Sequence, residues 1–287
     1  MARPRQVARG VELFPARTPT LPPATHTNSY ALGDRDLLLV EPATPHDDER
    51  RAWLDWARAL TSTGRRAMGI LVTHHHADHV GGAAFFQAEL ALPLWAHRRT
   101  AELLPELRFD HLLDDGEEIT LGGETPSRWT ALHTPGHAPG HLCFFEAETR
   151  TLIAGDMVAS VGTIVIDPHE GDMAEYLRQL ARLADLDAEV ALPAHGEPIA
   201  KDGDKPSPGE LFRFYIEHRL KREAKVLSAL EGAPPEGASL EALLPVVYAD
   251  TPVLLWPVAR LSLWAHLNKI EAEGRARAGA AGWVKVG

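Results

Sequence analysis

The stretch Thr73-His74-His75-His76-Ala77-Asp78-His79-Val80-Gly81-Gly82 constrains this 287-residue chain more than any other. Four candidate ligands, His74, His76, Asp78 and His79, fall within six residues. The run 68–73 before them is apolar and too short for a helix, which suits a buried strand. A strand delivering the chain to a loop lets His74 and His76 point the same way, because alternate residues share a face. Asp78 and His79 then open the next helix and aim at a second point, with Asp78 placed to cap it. One cluster of this shape can serve two metals. Gly81 and Gly82 mark a close backbone approach at the helix start. A histidine-rich tract by itself also fits a solvated loop, so donors elsewhere in the chain decide between the readings.

Three such donors stand in turns at the ends of expected strands: His137 in Thr134-Pro135-Gly136-His137, Asp156 in Ala154-Gly155-Asp156, and His195 in Pro193-Ala194-His195-Gly196. The single cysteine, Cys143, excludes an intramolecular disulfide and an all-thiolate site, so metal ligands here are nitrogen and oxygen. Its apolar setting is that of a small core residue. His75 reads as pointing away, and His133 and His141 as supporting or core imidazoles rather than ligands. Glu41 reads as a buried carboxylate at a strand end, with the option of orienting a liganding histidine.

Around these motifs the pattern is α/β. Segments 27–32 and 36–41 alternate about Gly33-Asp34 and predict a hairpin. Segment 47–60 carries Trp53, Trp56, Ala57 and Leu60 at helical spacing, and with the strand 68–73 it predicts a βαβ unit. Further strands are expected at 94–96, 119–121, 129–133, 142–146, 151–154 and 189–192, with helices at 80–90 and 172–186. The Pro/Gly/charge-rich residues 201–209 predict a boundary between a catalytic domain, 1–205, and a second domain, 206–287. In the second, helices at 210–230, 240–247 and 253–273 closed by a ribbon ending at 282–286 predict a winged helix.

In this order of motifs the chain resembles the metallo-β-lactamase superfamily, whose pattern is HxHxDH, then Gly-His, then Gly-Asp after a strand, then Gly/Ala-His-Gly. The resemblance implies an αββα sandwich with a small C-terminal winged-helix domain. It implies that His74, His76 and His137 hold one metal, that Asp78, His79 and His195 hold a second, and that Asp156 bridges them. Two zinc ions are expected, and iron or manganese would suit the same donors. A hydroxide between the metals would attack the substrate, with Asp78 and Asp156 the expected catalytic carboxylates. The β-lactamases that resemble this fold use a cysteine where this chain has Asp156, so a β-lactam substrate is not expected. Many members carry an Asp-x-Gly turn after the second strand, whereas this chain reads Val40-Glu41-Pro42.

The appended winged helix resembles a subgroup that includes an animal mitochondrial endoribonuclease acting on single-stranded RNA and fungal thioesterases that release polyketides from a carrier protein. The expected function is therefore hydrolysis of an ester, thioester or phosphodiester, with a single-stranded RNA endonuclease as one alternative. A nucleic-acid-binding regulator with structural metals is another. The formal net charge of −11 disfavours general attraction of polyanions. Residues 210–287 hold ten Lys/Arg against nine Asp/Glu, a balance that suits a packing module or a homodimer surface as well as RNA. His218, Lys221, Arg222 and Lys225 fall on one helical stripe, which is expected either to receive an anionic substrate group or to be a solvated face paired with Glu217 and Glu223. No apolar run approaches the ~18 residues that cross a bilayer, and the N-terminal residues lack a signal-type apolar core. A small-molecule or anionic substrate, no membrane and a cytoplasmic location are the expectations.

Overall fold

The computed structural model describes residues 4–286. Strands β1 (Arg5–Ala8), β2 (Val11–Arg17), β3 (His26–Leu32) and β4 (Asp36–Val40) run antiparallel in succession. Helix α1 (Asp47–Thr61) then crosses to β5 (Arg66–Leu71), which lies parallel to β4 and completes the expected βαβ unit. Helices α2 (Ala77–Val80) and α3 (Ala83–Leu90) lead to β6 (Leu94–His97), and α4 (Arg98–Leu103) leads to β7 (Phe109–Leu113). These seven strands form one sheet in chain order.

A second sheet follows. Strands β8 (Glu118–Leu121), β9 (Ser127–His133), β10 (Leu142–Glu146) and β11 (Thr151–Gly155) form an antiparallel meander. Helix α5 (Met173–Ala184) crosses to β12 (Val190–Pro193), parallel to β11, and β13 (Ile199–Ala200) closes the edge. Asp172 starts α5 by accepting hydrogen bonds from the Ala174 and Glu175 amides at 2.8 and 3.0 Å, which satisfies two orphan donors of the first turn.

The alternation of apolar residues on each strand decides the packing. Tyr30, Leu38 and Leu71 of the first sheet meet Trp129, Phe144 and Ile153 of the second in a shared core. Helices α1 and α3 cover the outer face of the first sheet, where Trp53 stacks on Phe86 with ring centroids 4.0 Å apart. Helix α5 covers the outer face of the second sheet, so the layers run αββα. Helix α6 (Pro208–Glu231) opens with Ser207 and Glu210 in a reciprocal capping box. Its first turns contribute Phe212 and Tyr215 to the core beside α5. Its last turns give Val226 and Leu230 to a separate core shared with α7 (Leu240–Val247) and α8 (Trp256–Ala272). Strands β14 (Ala276–Gly279) and β15 (Gly282–Lys285) form the two-stranded ribbon, completing a winged helix.

Two local expectations are corrected. The helix expected over 80–90 is broken: α2 ends at Val80 and α3 begins at Ala83, and at the break a Cβ on Gly82 would sit 2.3 Å from the Phe86 ring and 2.9 Å from the Thr44 carbonyl oxygen, so the close approach requires glycine. Asp78 does not cap a helix: α2 begins at Ala77, so His76 occupies the cap position and Asp78 falls inside the first turn. The strands β1, β2 and β7 go unannounced in the sequence pattern. Pro15 interrupts β2, and β7 is exposed at Asp110, His111 and Leu112, so neither alternates cleanly. Among the described residues, no helix is long and apolar enough to cross a membrane.

Candidate metal centre

The seven expected ligands come from one edge of the sandwich. His74, His76, Asp78 and His79 follow β5, His137 follows β9, Asp156 follows β11 and His195 follows β12. Tertiary bonds stitch these ends together. Asn28 on β3 donates from its side-chain amide to the Pro193 and Gly196 carbonyls at 2.9 and 2.8 Å, and Tyr30 donates to the same Pro193 oxygen at 2.7 Å. The Leu142 amide donates to the Thr73 carbonyl at 3.0 Å, tying the second sheet to the histidine-rich loop.

His74, His76 and His137 converge in one group, with His76 Nδ1 3.0 Å from His74 Nε2 and 3.1 Å from His137 Nε2. Asp78, His79 and His195 converge in another: His79 Nε2 is 3.8 Å from Asp78 Oδ1, and His195 Nε2 is 3.5 Å from Asp78 Oδ2. Asp156 lies between the groups. Its Oδ2 is 3.5 Å from His137 Nε2 and 3.6 Å from His79 Nε2, and its Oδ1 is 3.4 Å from His195 Nε2. A zinc ion with ~2.0–2.1 Å bonds in a tetrahedron sets its donor atoms about 3.3 Å apart, close to these spacings.

Buried polar atoms without partners give an independent test of fit. Both ring nitrogens of His79, Asp156 Oδ1 and both Glu41 carboxylate oxygens are buried without a well-formed hydrogen bond. Isolated buried charge of this kind costs several kcal/mol, roughly, unless a counter-charge is supplied, and divalent cations supply it. The electrostatics agree. Burial pushes the His137 imidazole down to about 4 and pushes His74 well below its ordinary value, so both keep a lone pair free for a cation. Burial would depress His79 too, but Asp78, Glu41 and Asp156 hold it well above its ordinary value. Burial alone would raise Asp156, yet His195 and His79 hold its carboxyl well below the usual carboxylate range.

The second nitrogen of each converging imidazole faces an oxygen atom, which orients the rings. His74 Nδ1 lies 3.0 Å from the Thr73 hydroxyl, and His137 Nδ1 donates to the Val165 carbonyl at 2.8 Å. His195 Nδ1 donates to the His26 carbonyl at 3.0 Å. His79 Nδ1 lies 3.3 Å from Glu41 Oε2, and Glu41 takes φ +64° to reach it. That backbone region costs a non-glycine residue on the order of 1 kcal/mol, so the placement is held by its surroundings. The Glu170 carboxylate accepts from His76 Nε2 at 2.6 Å and from His75 Nε2 at 2.7 Å. His141 is buried; its Nε2 accepts the Asp156 amide at 3.0 Å while its Nδ1 faces the Thr134 hydroxyl at 2.8 Å.

Sequence reasoning misses Glu170, Asn28 and the Val165 carbonyl. Glu170 lies 94 residues from His76 in a loop with no motif, so only the fold brings them together. Removing the Glu170 carboxylate by Glu170→Ala frees the His76 ring to rotate. The expected result is a 10- to 100-fold weaker metal affinity, roughly the usual effect of deleting an orienting partner, measured by competition with a chromophoric chelator.

The expected cationic stripe divides. Arg222 is buried and holds Asp250 at 2.7 Å, Lys225 holds the same carboxylate at 2.6 Å, and exposed Lys221 pairs with Glu217 at 2.7 Å. His218 is exposed and stacks on Phe214 with centroids 6.3 Å apart.

An αββα sandwich carrying two histidine–carboxylate groups about a shared aspartate is the architecture of a metal-dependent hydrolase, and this chain is one. It belongs to the metallo-β-lactamase superfamily: the family model described as "Metallo-beta-lactamase superfamily" matches residues 22–195. A "Beta-lactamase associated winged helix domain" model matches residues 239–283. The chain is 33% identical over 265 residues to the Beta-lactamase-like protein 2 homolog of Drosophila melanogaster, covering 88% of this chain and 84% of that protein. It is 30% identical over 216 residues to the Atrochrysone carboxyl ACP thioesterase of Aspergillus chevalieri, covering 74% of this chain and 63% of that protein. Its fold is shared by a metallo-beta-lactamase family protein from Thermus thermophilus, with TM-score 0.76 and 24% identity over 97% of this chain and 99% of the other. A beta-lactamase domain protein from Burkholderia ambifaria matches with TM-score 0.81 at 19% identity, over 99% and 93% of the two chains.

Proposed function

We propose that this hydrolase cleaves a thioester and binds two zinc ions, with His74, His76 and His137 around one, Asp78, His79 and His195 around the other, and Asp156 shared. The position of Asp156 between both groups carries the dinuclear reading, since a structural zinc site needs only four closed ligands. Iron or manganese would suit the same nitrogen and oxygen donors. Cations held by these residues would supply Lewis acidity toward a substrate carbonyl and lower the pKa of water toward neutrality.

The protein's own part is preorganisation. Glu170 and the Val165 and His26 carbonyls fix the ring tautomers of His76, His137 and His195, Thr73 orients His74, His141 fixes the Asp156 backbone, and Asp78 and Asp156 would supply negative charge to balance the cations. No protein nucleophile is required, and Cys143 is unsuited to be one, because burial pushes its thiol up to about 12.

Two observations favour a thioester over RNA. One relative is a thioesterase by name. The other is charge: the formal net charge of −11 disfavours attraction of a polyanion.

Metal-replete protein assayed on an acyl thioester, a lactone, bis-p-nitrophenyl phosphate and single-stranded RNA tests the proposal, with elemental analysis alongside. Two metals per chain and the highest kcat/KM on the thioester are expected. Faster turnover of RNA or the phosphodiester would move the assignment to a nuclease. Nucleic-acid binding with no turnover would move it to a regulator, and one metal per chain would remove the dinuclear reading.

A further inference from the structure

The loop 157–172, between β11 and α5, has no strand or helix of its own, yet it bonds to the candidate centre at several points. Its Val165 carbonyl accepts from His137 Nδ1 at 2.8 Å, and its Glu170 accepts from His76 at 2.6 Å. The Ser160 amide donates to the His195 carbonyl at 3.2 Å. A segment without a ladder can fix imidazoles only if something else fixes the segment.

The C-terminal helices do so. The Tyr215 hydroxyl on α6 donates to the Ala159 carbonyl at 3.0 Å and accepts from the Ala159 amide at 3.2 Å. One turn further along α6, Arg219 donates to the carbonyl of Ile164, the residue next to Val165. Trp264 on α8 meets His169 edge-on at 5.0 Å. Arg219 is the unusual member. It is 4% exposed, its Nε has no partner, and among the described residues no carboxylate pairs with it; besides the Ile164 carbonyl it lies against Tyr176, whose ring centroid is 5.7 Å away.

A buried guanidinium without a counter-ion is a weak device for stability, since a packed apolar residue would serve as well or better. Arg222, three residues on and also buried, shows the ordinary arrangement, with Asp250 at 2.7 Å. Helix α6 belongs to both cores, so a bond from Arg219 makes the geometry at His137 depend on the C-terminal module.

We propose that Arg219 is a positioning residue for the metal centre: it grips the Ile164 carbonyl, holds the adjoining Val165 carbonyl against His137 Nδ1, and so couples the winged-helix module to metal binding. The coupling rests on the metal-centre reading above. It assigns the appended module a part in the hydrolytic site that requires no nucleic acid.

The test uses the full chain loaded with cobalt(II), following the visible ligand-field band and the affinity by chelator competition, in the parent, Arg219→Met, Arg219→Lys and Arg222→Met. Arg219→Met should weaken one of the two metals by about tenfold and alter the band, the usual scale for an orienting partner. Arg219→Lys, which keeps a donor for Ile164, should recover part of that loss. Arg222→Met should lower thermal stability while leaving affinity and band as in the parent. If Arg219→Met fails to fold, Tyr215→Phe, which releases Ala159 from the same loop, takes its place with the same expected loss. Parent-like affinity and band in Arg219→Met or its substitute, or an equal loss in Arg222→Met, would overturn the coupling alone. A parent that takes up no metal would overturn the metal-centre reading and the coupling with it.

Discussion

Asp156→Asn is expected to lower turnover by about 10²-fold or more and to reduce the metal content of the purified protein, the scale at which loss of a ligand or charge-stabilising group is felt. Asn is nearly isosteric, so the change is in charge rather than packing. Both carboxylate oxygens face imidazoles, one 3.4 Å from His195 and the other 3.5 and 3.6 Å from His137 and His79, so the two donor groups lose their common anion together. The backbone of residue 156 keeps its bond to His141, which predicts a folded variant with a defective centre. Elemental analysis and kcat measured on the same preparation check this, with circular dichroism as the folding control. His75→Ala is the comparison: its ring bonds to Glu170, which retains His76, so turnover should stay near the parent's. An Asp156→Asn protein with parental metal content and kcat would show that the bridge is misassigned.

Gly155→Ala is expected to be nearly as damaging through geometry alone. Gly155 has φ +51°, and an added Cβ would stand 2.4 Å from His141 Nε2 and 2.9 Å from His141 Cε1, inside the closest approach real Cβ atoms make. His141 is buried and bonded at both ring nitrogens, so it cannot move without breaking its bond to Asp156 N or to Thr134. The strained backbone, the overlap and the orphaned amide each cost of order 1–3 kcal/mol, so a loss of about 3 kcal/mol or more in unfolding free energy is expected. Urea denaturation measures it. Activity should fall with it, because the displaced imidazole is the one that fixes Asp156. A stability change below about 1 kcal/mol would mean that the loop relaxes, and that the glycine is there for another reason.

A similar requirement applies at Gly136, where φ is +128° and a Cβ would fall 2.4 Å from the Tyr176 backbone. These two glycines adjoin His137 and Asp156 because the chain passes another element at contact distance just where a donor must be presented. The sequence shows that a glycine stands there. Which neighbour forbids a side chain emerges only when α5 and the His141 segment are in place.

The elements with strong periodicity were legible in the same way. The α1 pattern, the hairpin, the meander from β9 to β11 and the three C-terminal helices follow from local alternation and capping, which neighbouring residues decide among themselves. The two donor groups were legible because four candidate donors lie within six residues and the rest stand in glycine-bounded turns at strand ends. The cationic stripe on α6 was legible as a spacing but not as an environment. Arg222 and Lys225 meet Asp250, which lies 28 and 25 residues further along the chain, and helical periodicity carries no information about a partner on another element.

The sequence by itself determined which residues offer nitrogen and oxygen donors, that one cysteine cannot make an all-thiolate site, and that an α/β sandwich precedes a winged helix. These depend on residue chemistry and short-range period. The tertiary structure alone decided that Asp156 stands between the two groups, that Glu170 and not a motif residue steadies His76, that Glu41 faces His79, and that α6 reaches back to the 157–172 loop through Tyr215 and Arg219. These contacts join residues as far as 94 positions apart, and they depend on how the two sheets close on one another. Packing fixes them because a buried donor, acceptor or charge must be matched by whatever the fold brings within about 3 Å, and distance along the chain places no limit on what that is.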